Sequence, residues 1–305
     1  MSPSLTILRL YGALLRMATP NSGLTKLAYN PVTNWLFGRL RRQGRHRLPT
    51  TTWEGVPLEV DIRDHDGRIF WLFGSNDFKV SRLARALLRE GYVFLDIGAN
   101  YASVGLSVAS HFGPSVKVHL FEPQPALAET VADGIAASGL SNTVTQHRCA
   151  LYDTAGMLSL RVPVAHSGMA TLEADKALHG ETRDITIPTK ETAAYVAPLV
   201  GDWPFGVKID IEGAEPKVLP ALIAMRRLRF CIFEGANNQQ ELFEQFKGAG
   251  FAMFGLRRSV LAVTLEPIRR LEDFHNHHDF LALRGVAPTD APVVSLGELD
   301  RLARG

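Results

Sequence analysis

Two cysteines, Cys149 and Cys231, are all the thiols in a chain of 305 residues. Each sits inside an apolar run that reads as a strand, which excludes a disulfide framework and points to two buried thiols in a reducing compartment. No apolar run reaches the roughly 20 residues that a bilayer-spanning helix needs, and the first residues form neither a basic n-region nor a long apolar h-region. A cytoplasmic location is therefore expected. A formal net charge of +2 is too small to make nucleic acid the main partner. Metal-ligand spacing is lacking as well. The dense run His275-Asn276-His277-His278-Asp279 has no second cluster to complete a site, so no metal is expected.

With 46% hydrophobic and 21% charged residues, the composition is that of a globular chain rather than a disordered one. The length allows one large domain with an extension, or two small domains. The stretch that organises it is Val93 to Pro123. Val93 to Ile97 is an apolar run bounded by Gly91 and Gly98, long enough for a buried strand and too short for a helix. Apolar positions then fall at helical spacing from Ser103 to Phe112, and Val116 to Phe121 is a second apolar run ending in Glu122-Pro123. Strand, tight turn, helix and strand make the unit of a right-handed parallel crossover.

Asp96 ends the first strand and Glu122 the second, where ligands bind in open parallel sheets. An acid at the second position can accept from both ribose hydroxyls, and Gly98 lets backbone approach a ligand, so a nucleoside is implied. A pyrophosphate turn needs G-x-G-x-x-G, but here Asn100 replaces the second glycine and the next is Gly105. That disfavours a dinucleotide. The rival reading as a nicotinamide-dependent oxidoreductase also lacks a Tyr-x-x-x-Lys pair.

Asp96-Ile97-Gly98-Ala99-Asn100, followed by Phe121-Glu122-Pro123, resembles the S-adenosylmethionine site of Rossmann-like methyltransferases. Taken with Val207-Lys-Ile-Asp-Ile-Glu-Gly-Ala-Glu-Pro216, the set resembles the FkbM family of O-methyltransferases, from about Phe94 to Phe254. The resemblance implies an α/β, Rossmann-like class I methyltransferase fold. Its seven-strand sheet would be mostly parallel, with an antiparallel last strand and helices on both faces. S-adenosylmethionine is the implied cofactor, held by Asp96, Gly98, Ala99, Asn100, Glu122 and Pro123. The implied acceptor is a hydroxyl of a sugar, glycan or secondary metabolite. Related methyltransferases set backbone and a side chain against adenine where this chain has Ala150 to Asp153. Asp153 could accept from the exocyclic amine or cap the turn to Gly156. In place of the Leu-Asp pair of family members stands Thr189-Lys190-Glu191-Thr192, which leaves the fourth crossover helix open.

Methyl transfer to oxygen is an in-line displacement that needs alignment, exclusion of water and removal of a proton. Asp210, at the carboxyl end of the fourth strand, is the first candidate for the base or acceptor-orienting acid, and Glu212 is the second. Lys208 belongs to the same catalytic group, or pairs with an acid to close the sheet edge. Glu215 favours the helix N-terminus that follows. Glu234, at the end of the fifth strand, is expected to hold substrate hydroxyls. If Phe280 to Leu283 is the antiparallel strand, the connection before it places His275, His277 and His278 near the substrate rim, His278 being the substrate candidate. A non-catalytic nucleoside-binding or scaffold module is the remaining alternative; the acids after strands one, two and four argue against it.

The rest divides into an N-terminal helical and basic extension (1–50), a lead-in hairpin and helix (51–92), the binding domain (93–286) and a tail (287–305). Leu5, Leu8, Tyr11 and Leu15 share one face of a helix from Ser4 to Met17, ended by Pro20-Asn-Ser-Gly23. A second apolar set follows, Leu24, Leu27, Tyr29, Trp35, Leu36 and Leu40, and then Arg39, Arg41, Arg42, Arg45 and Arg47 cluster with His46. The extension packs on the domain or on a partner subunit, or else contacts an anionic membrane or glycan surface. Pro57 to Ile62 and Arg68 to Phe73 flank His65-Asp66-Gly67, which predicts a hairpin. Family members commonly carry such a lead-in, whose helix would pack over the cofactor side of the sheet; Asn76 and Asp77 could then reach ligand, but capping of that helix is the role expected of them.

Overall fold

The computed structural model describes residues 3–17, 27–235, 239–257, 263–286 and 293–298. The expected helix stop at Pro20 to Gly23, Leu24, and most of the tail lie outside them. Two helices, α1 (Pro3–Met17) and α2 (Pro31–Arg42), precede a hairpin of β1 (Arg47–Thr51) and β2 (Pro57–Asp61) and the helices α3 (His65–Phe73) and α4 (Phe78–Leu87). Then come β3 (Val93–Ile97), α5 (Ser103–Phe112), β4 (Lys117–Phe121), α6 (Pro125–Ala137) and β5 (Val144–His147). A small sheet of β6 (Ala150–Tyr152), β7 (Gly156–Pro163) and β8 (Thr182–Glu191) leads to α7 (Thr192–Val200), β9 (Phe205–Ile209), α8 (Glu215–Ala224) and β10 (Leu228–Glu234). The chain continues through α9 (Gln239–Gly248), β11 (Phe251–Leu256), β12 (Thr264–Ile268), β13 (Asp279–Arg284) and β14 (Val294–Ser295).

The main sheet runs β5-β4-β3-β9-β10-β13-β11-β12-β14. From β5 to β10 every pair is parallel, and β13 inserts antiparallel between β10 and β11. The expected seven strands and their reversed last member are therefore present, and the fold is α/β and Rossmann-like. Two further strands, β12 and the edge strand β14, were not expected. β12 carries Glu266 and Pro267 among five residues, a weak pattern of a kind tolerated near a sheet edge. β14, in the tail, pairs with β12 over two residues.

Alternation along β3 builds both cores. Phe94 packs on the α4 and α5 side, and Val93, Leu95 and Ile97 pack on the α7 and α8 side. The first of these cores runs without a break from Leu5 to Val294, so the described N-terminal helices are packed on the domain. Cys149 and Cys231 are buried and unpaired; Cys149 lies just past β5 rather than in it.

The hairpin stands one strand earlier than expected, and Arg68 to Phe73 is helical. Asp64 decides this: its Oδ2 accepts from Gly67 N at 3.0 Å and caps α3. Gly67 is obligatory there, because a methyl group would overlap the Asp61 carbonyl oxygen. Ile69 to Phe73 are all buried, and so unbroken a run carries no period to separate helix from strand. α4 starts at Asp77 without a side-chain capping bond, which overturns capping as the role of Asp77.

Candidate functional site

The carboxyl ends of β3, β4, β9 and β10 open into a cavity of about 390 Å³, roofed by α3, the start of α4 and residues 166–170. At its floor, Gly98 adopts φ +72° with its Cα against β9, and a methyl group there would overlap the Asp210 carbonyl oxygen. Gly98 N and Ala99 N donate to Phe121 O at 3.1 and 3.0 Å, which fastens the turn to β4. Asn100, at φ +50°, closes it.

Glu122 is buried, yet both its oxygens are held. Oε2 accepts from Asn100 N and Oε1 from Gln124 N, each at 2.8 Å. Burial pushes its carboxyl up to about 7, against those two bonds. Each oxygen keeps a lone pair for a further donor. Beside it Phe121, Pro123, Ala150 and Leu151 line an apolar wall. Gly98, Ala99, Asn100, Glu122, Pro123 and Ala150 are thus brought together as expected.

Asp96 and Asp153 are not. Asp96 is 1% exposed and lies behind the turn; its Oδ2 accepts from Gly105 N at 2.8 Å, and its Oδ1 stands 3.5 Å from Lys208 Nζ. It holds α5 and a lysine, and it does not line the cavity. Asp153 is partly exposed and pairs with Lys217 at 3.3 Å, since the small sheet carries the end of β6 away from the cavity. His278 offers its backbone carbonyl to Gly235 N at 2.9 Å, and the buried His277 side chain places Nε2 3.2 Å from Glu266 Oε2. None of His275, His277 and His278 lines the cavity. The substrate-rim expectation for His278 is corrected: within the connection, residues 264–268 form β12, which pairs with β11 beyond β13 and draws the connection away from the cavity.

Lys208 lies in a central strand, so it closes no sheet edge. Its Nζ donates to Gly98 O at 2.7 Å and sits 3.9 Å from Asp210 Oδ2. Burial works against its charge, but Asp96, Asp210 and Asp77 outweigh it and hold the ammonium above its ordinary range. Asp210 Oδ1 is enclosed without a hydrogen-bond partner. Glu212, at φ +55°, is engaged by the Lys176 ammonium. Glu215 accepts from Ile211 N and Gly213 N, both at 2.9 Å, and so braces the β9–α8 turn as expected.

Sequence reasoning missed Asp66, His166 and Asp279 as members of the wall. Glu234 and Asp279 are partners across β10 and β13, and with Asp77, Asp210 and Glu212 they make one side of the cavity acidic. Burial, then neighbouring carboxylates, raise Glu234 to about 8, and desolvation raises Asp77 to about 7 despite Lys208. Opposite them, His166 Nε2 pairs with Asp66 Oδ1 at 3.4 Å, and Asp66 Oδ2 accepts from Gly168 N and Asn100 Nδ2. Asp66 was hidden in a presumed turn, and Asp279 in the histidine run. Among the described residues two groups bring ligand-type atoms within 4.8 Å of one another: His65, Asp66 and His166, and Asp210, Glu212 and Glu234. In the first, Asp66 is already engaged by His166, Gly168 N and Asn100 Nδ2 and His65 Nδ1 by the Tyr29 hydroxyl, and in the second Lys176 occupies Glu212.

No family model and no curated protein matches the chain. Among solved structures it resembles a precorrin-6y C5,15-methyltransferase from Geobacter metallireducens at 14% identity, covering 68% of this chain and 88% of that one, with a TM-score of 0.39. A SAM-dependent O-methyltransferase from Thermotoga maritima matches at 14% identity over 69% and 66% of the two chains, TM-score 0.38. The O-methyltransferase TomG from Streptomyces achromogenes matches at 14% over 67% and 77%, TM-score 0.35. These are likenesses of overall shape; the fold assignment stands on the strand order above.

The cavity therefore offers two unlike halves. One has an anchored carboxylate, free backbone approach and an apolar wall, suited to a ribose and a base. The other is rich in carboxylates and suited to a cation or to a ligand with many hydroxyl donors.

Proposed function

We propose that this cavity binds S-adenosylmethionine and transfers its methyl group to a hydroxyl of a sugar, glycan or secondary-metabolite acceptor, in the manner of the FkbM family. The observation that carries the reading is Glu122, whose carboxylate is fixed by two backbone N–H groups at the tip of the second parallel strand beside Gly98. It would accept from the ribose hydroxyls, and Ala150 and Leu151 would meet the adenine. The sulfonium end would then lie toward the acidic half, near Asp210 and Asp77. Bound there, the donor would supply its methyl carbon to the acceptor oxygen, the carbon–sulfur electron pair remaining on sulfur. The acceptor proton passes to Asp210.

Calorimetric titration of S-adenosylmethionine and its demethylated product tests this. The expected dissociation constants are on the order of 1–100 μM, with loss of binding in Glu122→Ala. Tight binding of a nicotinamide dinucleotide, with no heat from the methyl donor, would instead favour the oxidoreductase. If the donor binds but no glycoside or other alcohol is methylated, the nucleoside-binding module is favoured.

A further inference from the structure

The first fifty residues contain no aspartate or glutamate, and the first acid in the chain is Glu54; the same stretch holds Arg9, Arg16, Arg39, Arg41, Arg42 and Arg45. On α1, Ile7, Leu10 and Leu14 repeat at i, i+3 and i+7 and form one exposed stripe, while Leu5, Leu8 and Leu15 on the other side enter the core. On α2, Thr33, Leu36, Phe37 and Leu40 are buried, and the outer stripe reads Val32, Trp35, Arg39, Arg42. The five apolar side chains of these two stripes are between 51% and 65% exposed. The stripes belong to neighbouring helices. Tyr11, next to the α1 stripe, donates to Leu27 O at 3.3 Å and accepts from Asn30 Nδ2 at 3.2 Å, at the head of α2.

Exposed leucine and tryptophan beside unopposed arginine need an occupant that takes both. Among the described residues no carboxylate pairs with Arg39, Arg41, Arg42 or Arg45, and the Arg39 guanidinium lies 5.8 Å from the Trp35 ring centre. A second copy of the chain would bring arginine against arginine across a two-fold axis, and nucleic acid has no use for the aliphatic stripe. An anionic bilayer supplies acyl depth and headgroup charge together. No described helix is long and apolar enough to cross a membrane, which fits helices lying in the interface. We infer that the outer face of α1 and α2 docks the protein on an anionic lipid surface. Tyr29, two residues ahead of α2, stacks on His65 of the cavity wall, centres 5.0 Å apart, and so ties the head of α2 to the cavity.

The test is co-sedimentation of the full chain with phosphatidylcholine vesicles, with and without phosphatidylglycerol. Binding is expected only with the anionic lipid, weakening as salt is raised. The double variants Arg39→Glu/Arg42→Glu and Leu10→Glu/Leu14→Glu should each lose about tenfold or more while keeping the wild-type melting temperature. As a readout free of folding effects, anionic vesicles should shift the wild-type tryptophan emission to the blue, and Trp35→Phe should lose most of that shift. No binding to either vesicle, or equal binding to both, overturns the inference. So does a solution dimer that Leu10→Glu/Leu14→Glu splits.

Discussion

At the scale of single residues, the acids of the cavity differ by what already holds them. Glu212 is tied to Lys176, Glu122 is spoken for by two backbone amides, and Glu234 is raised to about 8, so at neutral pH it is mostly a proton donor. Asp210 alone among these four has an enclosed oxygen without a partner, at the end of the strand that Gly98 touches. A base must reach its proton before its affinity for it matters. Asp210→Asn should therefore leave methyl-donor affinity within about threefold in calorimetry and lower kcat on the order of 10²–10⁴-fold. An unchanged kcat would move the role to another group. Glycines, Asn100 and Glu122 were legible because a turn at a strand end admits few residue types. Asp96 was not, because its place in the sequence is the same whether its carboxylate enters the crevice or turns back to Gly105 and Lys208.

At the scale of elements, sequence periodicity found β3, α5, β4 and β13 nearly to the residue, and it failed where burial on all sides erases the period. Ile69 to Phe73 is such a run; there Asp64 chooses the helix. The same carboxylate accepts from Ser167 N at 2.6 Å and from Ser167 Oγ at 2.9 Å, besides Gly67 N, so a single side chain joins α3 to the segment over the cavity. Removing it loses a cap and leaves buried donors unmet. Asp64→Ala should cost about 2–4 kcal/mol, seen as a lower melting temperature by about 2–4 °C per kcal/mol, and Asp64→Asn should cost less than half of that. Equal melting temperatures would show that other contacts hold this roof. Gly98→Ala acts on a different element, forcing β9 away from the β3 turn, and should abolish donor binding as Glu122→Ala does, but with a measurable loss of stability.

At the scale of the whole molecule, three carboxyls with raised affinity for protons, Asp77 and Glu122 at about 7 and Glu234 at about 8, make folding depend on pH. Unfolded carboxyls release their protons near pH 4, so between about pH 4 and 8 these three bind more protons in the folded chain than in the unfolded one. Their contribution to stability falls as pH rises through this window and levels off above it, while His119, pushed down to about 4 by burial, works the other way up to about pH 6.5. Lys208, raised in the folded state, contributes fully below its unfolded value near 10.4, so it leaves the slope here unaltered. Above the histidine range only the carboxyls act, so the melting temperature of the ligand-free protein should drop from about pH 6.5 to about pH 8.5, and Glu234→Gln should flatten the drop and be no less stable than wild type at the alkaline end. A cation seated among the ionised carboxyls opposes the same repulsion. The stabilisation given by S-adenosylmethionine should therefore grow as pH rises, and that given by its demethylated product, which lacks the sulfonium charge, should grow less. Equal pH dependence for the two ligands would place the sulfonium away from Asp77 and Glu234, and with it the proposed orientation of the donor would fall.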